Sequence, residues 1–291
     1  MKNTLKKSLE SSWIIIQLVV PIYIIADVLY FYNILSYVAF IFEPFTSILD
    51  LPPEAALAII SGVFLNLYAA VAFAAPLDLT VQQWSILAIF LGVCHSLIVE
   101  NIIIRKLGIS SFYSYSLRLF GGLLIGYSAT FLPHNWFEST ITTEIFEKET
   151  YNSFIALLLG SFYNAILLTI KIIILISILI FIMDFIKNLS FIKKSSKNIS
   201  KSFSIIVGIF LGITYGAGIL IKESNNLSKN DVFYISTFLM ICHAIIEDTL
   251  LFVIFGADFT IVVAIRTIWA ILLSYLLLKI YCIKSNKFFS S

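Results

Sequence analysis

Charged residues are scarce in this chain. Lys, Arg, Asp and Glu make up 12% of its 291 residues, while 60% are hydrophobic, against about a quarter charged in an ordinary soluble domain. Such a chain cannot have water as its main solvent, so size rules for soluble domains do not apply. The net charge of +2 is small and comes from loops, which excludes a nucleic-acid surface built of clustered Lys and Arg. Cysteine is equally sparse: Cys94, Cys242 and Cys282 lie in or beside apolar segments, and an odd count argues against a disulfide framework. Lys2, Lys6 and Lys7 precede the apolar run from Trp13 to Ala26 as in a signal sequence, but no small-x-small cleavage site follows, so the run reads as a retained first span. There is no Gly-rich loop followed by Lys-Ser or Lys-Thr, no Gly-x-Ser-x-Gly and no His-Glu-x-x-His. Direct ATP hydrolysis and the most recognisable catalytic motifs are thereby excluded, and the chain reads as a non-enzyme without cofactors.

What fills the sequence instead is a series of apolar stretches, each long enough to cross a hydrocarbon layer as a helix. The spans are expected at 12–32, 55–76, 81–104, 112–133, 154–185, 203–222, 230–255 and 259–283. The fold class is therefore all-α, a polytopic transmembrane bundle of about 8–9 spans. The segment Asn33 to Leu49 is apolar but short and ends in Asp50, Pro52 and Pro53. It reads equally as a ninth span, a re-entrant piece or an interfacial helix. The loop with Lys187, Lys193, Lys194, Lys197 and Lys201 should be cytoplasmic, and the acidic loop with Glu138, Glu144, Glu147 and Glu149 should lie on the opposite side. With 33–49 counted as a span, the N-terminus is cytoplasmic too, but the basic tail (Lys279, Lys284, Lys287) falls outside, against the rule.

One ungapped self-alignment stands out, Cys94 to Tyr127 on Cys242 to Tyr275, at an offset of 242 − 94 = 148. It matches Cys94 with Cys242, His95 with His243, Glu100 with Asp248, Gly108 with Gly256, Arg118 with Arg266 and Tyr127 with Tyr275. The chain has only three His, three Arg and three Cys, and two of each fall in register, so chance is a poor explanation. The expected organisation is a first transmembrane repeat at 1–133, an acidic connection at 134–153 and a second repeat at 154–291. Duplicated halves are a frequent construction of secondary transporters, with the substrate site between them. Whether the copies are parallel or inverted depends on the number of crossings in each.

Each repeated stretch reads as a helical hairpin turning at Gly108 or Gly256. Glu100 lies 8 residues before Gly108 and Arg118 lies 10 after it, so the two reach similar depth and can pair; Asp248 and Arg266 can do the same. His95 and His243 lie deeper. Ionisable groups inside a membrane are expensive and usually line a substrate, ion or proton path, although a buried acid–Arg pair can also simply fix a hairpin. Metal coordination by Cys, His and carboxylate is weakened by spacing: His95 to Glu100 and His243 to Asp248 are five residues apart, about 140° around a regular helix. Only His243 and Glu247 stand at i and i+4, where the first copy has Val99, so a metal would need both copies or an unwound helix, and none is assigned. Gly208, Gly212 and Gly216 form a ladder, and Ala55, Ala58, Gly62, Ala69, Ala72 and Ala75 make a small-sided helix, both read as close packing. Asn66 and Tyr68 in the second of these can face a cavity, whereas Asp27 and Asp184 are explained by an interface.

The stretches Leu51-Pro-Pro-Glu-Ala-Ala through Ser61-Gly-Val-Phe-Leu-Asn-Leu-Tyr68, Cys94-His-Ser-Leu-Ile-Val-Glu100 and His243-Ala-Ile-Ile-Glu-Asp248 are similar to the Gate family. These nucleoside-recognition-domain membrane proteins include spore-maturation proteins and the membrane half of the bacterial ferrous-iron transporter. The resemblance implies a helical, transport-related module with paired gate-like repeats, in a family whose cargo varies. The chain has no GTP-binding domain, so iron uptake of that transporter's kind is not expected. The expectation is a permease in a bacterial inner membrane, moving a small polar or anionic solute, with proton coupling through the His pair. Its substrate-binding residues would be His95, Glu100, Arg118, His243, Glu247, Asp248, Arg266 and Asn66. Lipid is a partner, and a homo-oligomer or a membrane partner is compatible with it. The alternatives are a non-transporting assembly factor acting through a partner and an intramembrane enzyme acting on lipid phosphate.

Overall fold

In the computed structural model, residues 2–138, 151–188, 208, 209, 212 and 227–289 are described. The expected span 203–222 and most of the acidic and basic loops lie outside these residues. The helices are α1 (Lys2–Phe31), α2 (Ile34–Ile48), α3 (Ala56–Phe64), α4 (Leu67–Ala74), α5 (Val81–Cys94) and α6 (Leu97–Arg105). They continue as α7 (Ser111–Thr130), α8 (Phe154–Asn188), α9 (Lys229–Ile241), α10 (Ile245–Val253) and α11 (Phe259–Phe289). Among the described residues there is no strand. Five helical stretches are long and apolar enough to cross a membrane: α1, α5 with α6, α8, α9 with α10, and α11. The all-α membrane bundle is thus as the composition requires. α5 and α9 form its buried centre, and α1, α8 and α11 present apolar side chains such as Trp13, Ile174 and Leu272 outward.

The expected span 55–76 is not a span. At Leu65 and Asn66 the helix breaks, and the Asn66 side chain accepts the Ala69 N–H at 3.0 Å to start α4 as a separate helix. A Cβ built on Gly62 falls 3.0 Å from the Ala70 Cβ, whereas eight residues of continuous helix would separate them by about 12 Å. α3 and α4 therefore fold back on one another as a re-entrant hairpin, and the small residues Gly62 and Ala70 are what let them approach. α2 has 15 residues, about 22 Å and shorter than the roughly 20 residues that a crossing needs. α3 bends away from it by 97°.

The two hairpins with matching sequence also match in geometry. Gly108 and Gly256 turn them with φ of +81° and +105°, a region open to glycine because it has no Cβ. The arms run in opposite senses. Trp84 stacks on Phe255 at 4.9 Å while His95 meets His243 at 5.2 Å, so α5 ascends as α9 and α10 descend. The opening helices α1 and α8 are antiparallel as well: Thr4 donates to Asp184 at 2.7 Å, Ser8 to Ser177 at 2.8 Å, and Ser161 to Asp27. The two matching hairpins thus run in opposite senses, the arrangement of the inverted repeats found in many transporters.

Inversion removes the conflict over the basic C-terminal tail. α7 ends near Thr130, and Glu138 is anchored close by, its N–H donating to Asp258 at 2.9 Å. Residues 139–150 carry Glu144, Glu147, Lys148 and Glu149, and a run so charged does not cross hydrocarbon, so α8 starts on the face where α7 ends. The antiparallel α1 starts on the other face. α11 runs against α7, with Trp269 bonded to Ser128 at 2.9 Å, and so ends on that same other face. Both chain ends and the exit of α8 toward the Lys-rich loop share one basic face, and the acidic connection lies opposite. Single cysteines replacing Lys6 and Lys279 should both react with a membrane-impermeant thiol reagent from one side of sealed vesicles, and a cysteine replacing Glu138 only from the other; labelling of Lys6 and Lys279 from opposite sides contradicts this arrangement.

Candidate functional site

The site begins with a defect in the backbone. α5 stops at Cys94, His95 is extended and Ser96 is left-handed (φ 47°, ψ 37°) before α6 begins. In the second copy α9 stops at Ile241, Cys242 has φ −133°, and Ala244 is left-handed (φ 44°, ψ 32°) before α10 begins. A left-handed residue other than glycine costs about 1–3 kcal/mol, and both copies place one at the same position. Each break docks on a glycine: the Ser96 N–H donates to the Gly62 carbonyl at 2.9 Å, and the Ala244 N–H to the Gly208 carbonyl at 3.3 Å. A Cβ on Gly62 would meet Leu91 at 2.7 Å, and one on Gly208 would strike the equivalent Leu239. Ser96 is also tied to the tip of the α3–α4 hairpin, donating from its hydroxyl to the Leu65 carbonyl at 3.1 Å.

A broken helix leaves carbonyls without partners, which in hydrocarbon costs several kcal/mol for each group. The repeated Arg residues serve those carbonyls. Arg118 is fully buried and donates from Nε to Val93 at 2.6 Å and from Nη2 to His95 at 2.7 Å. Arg266, also fully buried, donates from Nη2 to the His243 carbonyl at 3.0 Å and reaches into the other repeat to the Gly92 carbonyl at 2.6 Å. Gly92 is where that crossing requires a glycine, since a Cβ there would lie 2.6 Å from the Arg266 Cζ. The second copy has Met240 at the matching place, so only one of the two guanidinium groups bridges the repeats. Each imidazole turns Nδ1 to the carbonyl four residues back, His95 to Leu91 at 2.8 Å and His243 to Leu239 at 2.7 Å. A carbonyl only accepts, so in both rings Nδ1 carries the hydrogen.

The expected pairs form. Glu100 Oε2 lies 2.7 Å from Arg118 Nη2, and Asp248 Oδ2 lies 3.5 Å from Arg266 Nη2. Both carboxylates sit in the first turn of a half-helix, where the N-terminal dipole favours negative charge. The structure also draws the two copies together: Glu100 Oε1 is 3.2 Å from His95 Nε2 and 3.2 Å from His243 Nε2. The five-residue spacing that separates His95 and Glu100 on a regular helix does not do so here, because the helix unwinds between them. Since both Nδ1 atoms are occupied as donors, both Nε2 atoms of neutral rings present lone pairs to an ionised carboxylate oxygen. A ring protonated at Nε2 would instead donate to that oxygen.

Glu247 is half-buried in the first turn of α10. The carbonyl of Asn66 is used as the cap of α4, which gives it a part in the fold. Sequence reasoning missed the unwound segments, the carbonyls of Gly92, Val93, His95 and His243 as acceptors, and Gly92 itself. Neither break has a Gly or Pro, and the one available signal was a Cys-His pair repeated in the middle of an apolar run.

An all-α bundle of apolar helices with an interrupted, charge-bearing centre is a polytopic membrane protein. A curated relative agrees: the chain is 27% identical over 279 residues to the uncharacterized membrane protein YvoD of Bacillus subtilis (strain 168), covering 91% of this chain and 89% of that protein. No family model matches the chain, and no solved structure matches it.

Replacing Arg118 by Gln removes the partner of buried Glu100 and of two break carbonyls, and such losses cost about 3–5 kcal/mol. The purified R118Q protein should unfold at a clearly lower temperature in detergent. An unchanged midpoint would show that the break does not depend on the guanidinium.

Proposed function

We propose that this protein is a membrane transport protein, a Gate-like permease that moves a small polar or anionic solute through a site between its two inverted units. One observation carries the reading: two broken-helix hairpins of opposite sense bring His95, Glu100, Arg118, His243, Asp248 and Arg266 into one buried cluster. Unwound segments at membrane depth are tolerated where they are buried in protein or line a cavity, and inverted repeats with discontinuous helices are the construction by which secondary transporters alternate access. The motif resemblance to Gate proteins points the same way.

The roles divide by what each group has left over. Arg118 Nη1 and Arg266 Nε and Nη1 are buried without a hydrogen-bond partner, so they are the donors for an anionic or strongly polar part of a solute. Glu100 with His95 and His243 holds protons, because its contacts are repulsive until one is bound. Proton exchange at this group couples the cycle. The protein sits in the bacterial cytoplasmic membrane with its basic face inward.

The test is reconstitution in liposomes with a panel of small polar and anionic solutes, following solute uptake and lumenal pH together. Variants E100Q and H243A that fold normally should lose about tenfold or more in transport of an accepted solute, the equivalent of about 1.4 kcal/mol. If both carry every accepted solute at the wild-type rate, the site is misassigned; if no solute moves in the wild type, transport itself is.

A further inference from the structure

We infer that the cluster is a binding site for a divalent first-row transition-metal ion, held by His95 Nε2, His243 Nε2 and an Asp248 carboxylate oxygen, with Glu100 Oε1 as a further oxygen ligand. The ligand atoms of His95, His243 and Asp248 all lie within 4.8 Å of one another, and all three residues are buried. Glu100 Oε1 stands 3.2 Å from both imidazole nitrogens. Donors around a tetrahedral ion at about 2.0–2.1 Å are roughly 3.3 Å apart, so from a separation of up to 4.8 Å the side chains need to close in by at most about 1.5 Å, within the reach of rotamer adjustment.

The orientation of the rings is the stronger argument. A histidine that binds metal through Nε2 donates its Nδ1 hydrogen to a backbone carbonyl or carboxylate, which fixes the tautomer and aims the free lone pair. His95 and His243 do this through Leu91 and Leu239, one from each repeat. Two lone pairs and a carboxylate oxygen then converge on one point from separate chain segments, an arrangement that is repulsive when empty and attractive around a cation. The unwound helices are what bring it about, since the ligands are too far apart around regular ones.

The ligand types narrow the ion. Two imidazoles favour zinc, iron(II), cobalt or nickel over calcium and magnesium, which take oxygen. Thiolate ligation is not part of the set: the Cys94 Sγ donates to the Arg118 carbonyl at 2.7 Å, and the Cys242 Sγ faces Thr267 at 3.9 Å. Arg118 and Arg266 lie against the two carboxylates and partly neutralise them, which weakens their hold on the ion.

The experiment is calorimetry and visible spectroscopy on the full-length protein, purified in detergent without a polyhistidine tag and titrated with Zn2+ and Co2+, with Ca2+ and Mg2+ alongside. The expected result is one equivalent of Zn2+ bound, Co2+ giving a d–d band of low-symmetry nitrogen and oxygen ligation, and no saturation by Ca2+ or Mg2+. D248N, close to isosteric, and H243A should each weaken Zn2+ binding by about tenfold or more, whereas H134A, which alters the remaining histidine outside the cluster, should leave it unchanged. Absence of saturable Zn2+ and Co2+ binding, or full binding retained by D248N, overturns the inference whether or not H243A folds. Both results are read without transport, so a metal-free permease and a metal-binding protein that does not transport are distinguishable outcomes.

Discussion

The structure depends on how an interrupted backbone is kept satisfied where no water reaches it. An unbroken helix meets this demand unaided, because each N–H finds a carbonyl within the same segment. Two of the innermost helices give that up at His95 and His243, and the carbonyls released at Val93, His95 and His243 are taken over by the side chains of Arg118 and Arg266. The charged residues of the apolar interior are thus first a substitute for helix hydrogen bonds. The carboxylates Glu100 and Asp248 then balance the guanidinium groups, since an uncompensated buried charge is far more costly than a pair.

Chemistry follows from what that substitution leaves behind. With both Nδ1 atoms consumed by the backbone, the Nε2 atoms are aimed at Glu100. The inverted arrangement makes it a shared property: His95 and Glu100 come from one unit and His243 and Asp248 from the other, and Arg266 crosses the boundary to the Gly92 carbonyl. The departure from symmetry at Gly92 and Met240 gives the two units unequal holds on the cluster.

Much of this was legible in the sequence, because rare residues in a uniform apolar background carry information that Leu and Ile do not. The offset between Cys94 and Cys242 located both hairpins, Gly108 and Gly256 marked their turns, and the distances of Glu100 and Arg118 from the turn foretold their pairing. Other features were hidden for definite reasons. The segment 55–76 has the length and apolarity of a span, and only a single Asn at position 66, able to cap a new helix, marks the place where it folds back. The breaks at Ser96 and Ala244 use left-handed residues without glycine, so composition gives no warning of them, and a regular helix was the wrong template for judging the spacing of His95 and Glu100. The sense of the repeats hung in the sequence on whether 33–49 crosses, and it is the contacts between the hairpins and between α1 and α8 that reveal it.

The proposition on which the account turns is that the backbone holds both histidines in the Nδ1-protonated form with Nε2 turned inward. Solid-state 15N NMR of the protein in lipid, labelled on histidine and carrying H134A to leave two imidazoles, reads this directly. Both rings should show a protonated Nδ1, with the Nε2 resonances alone shifting when Zn2+ is added or the pH is lowered. Neutral rings protonated at Nε2 instead would contradict it.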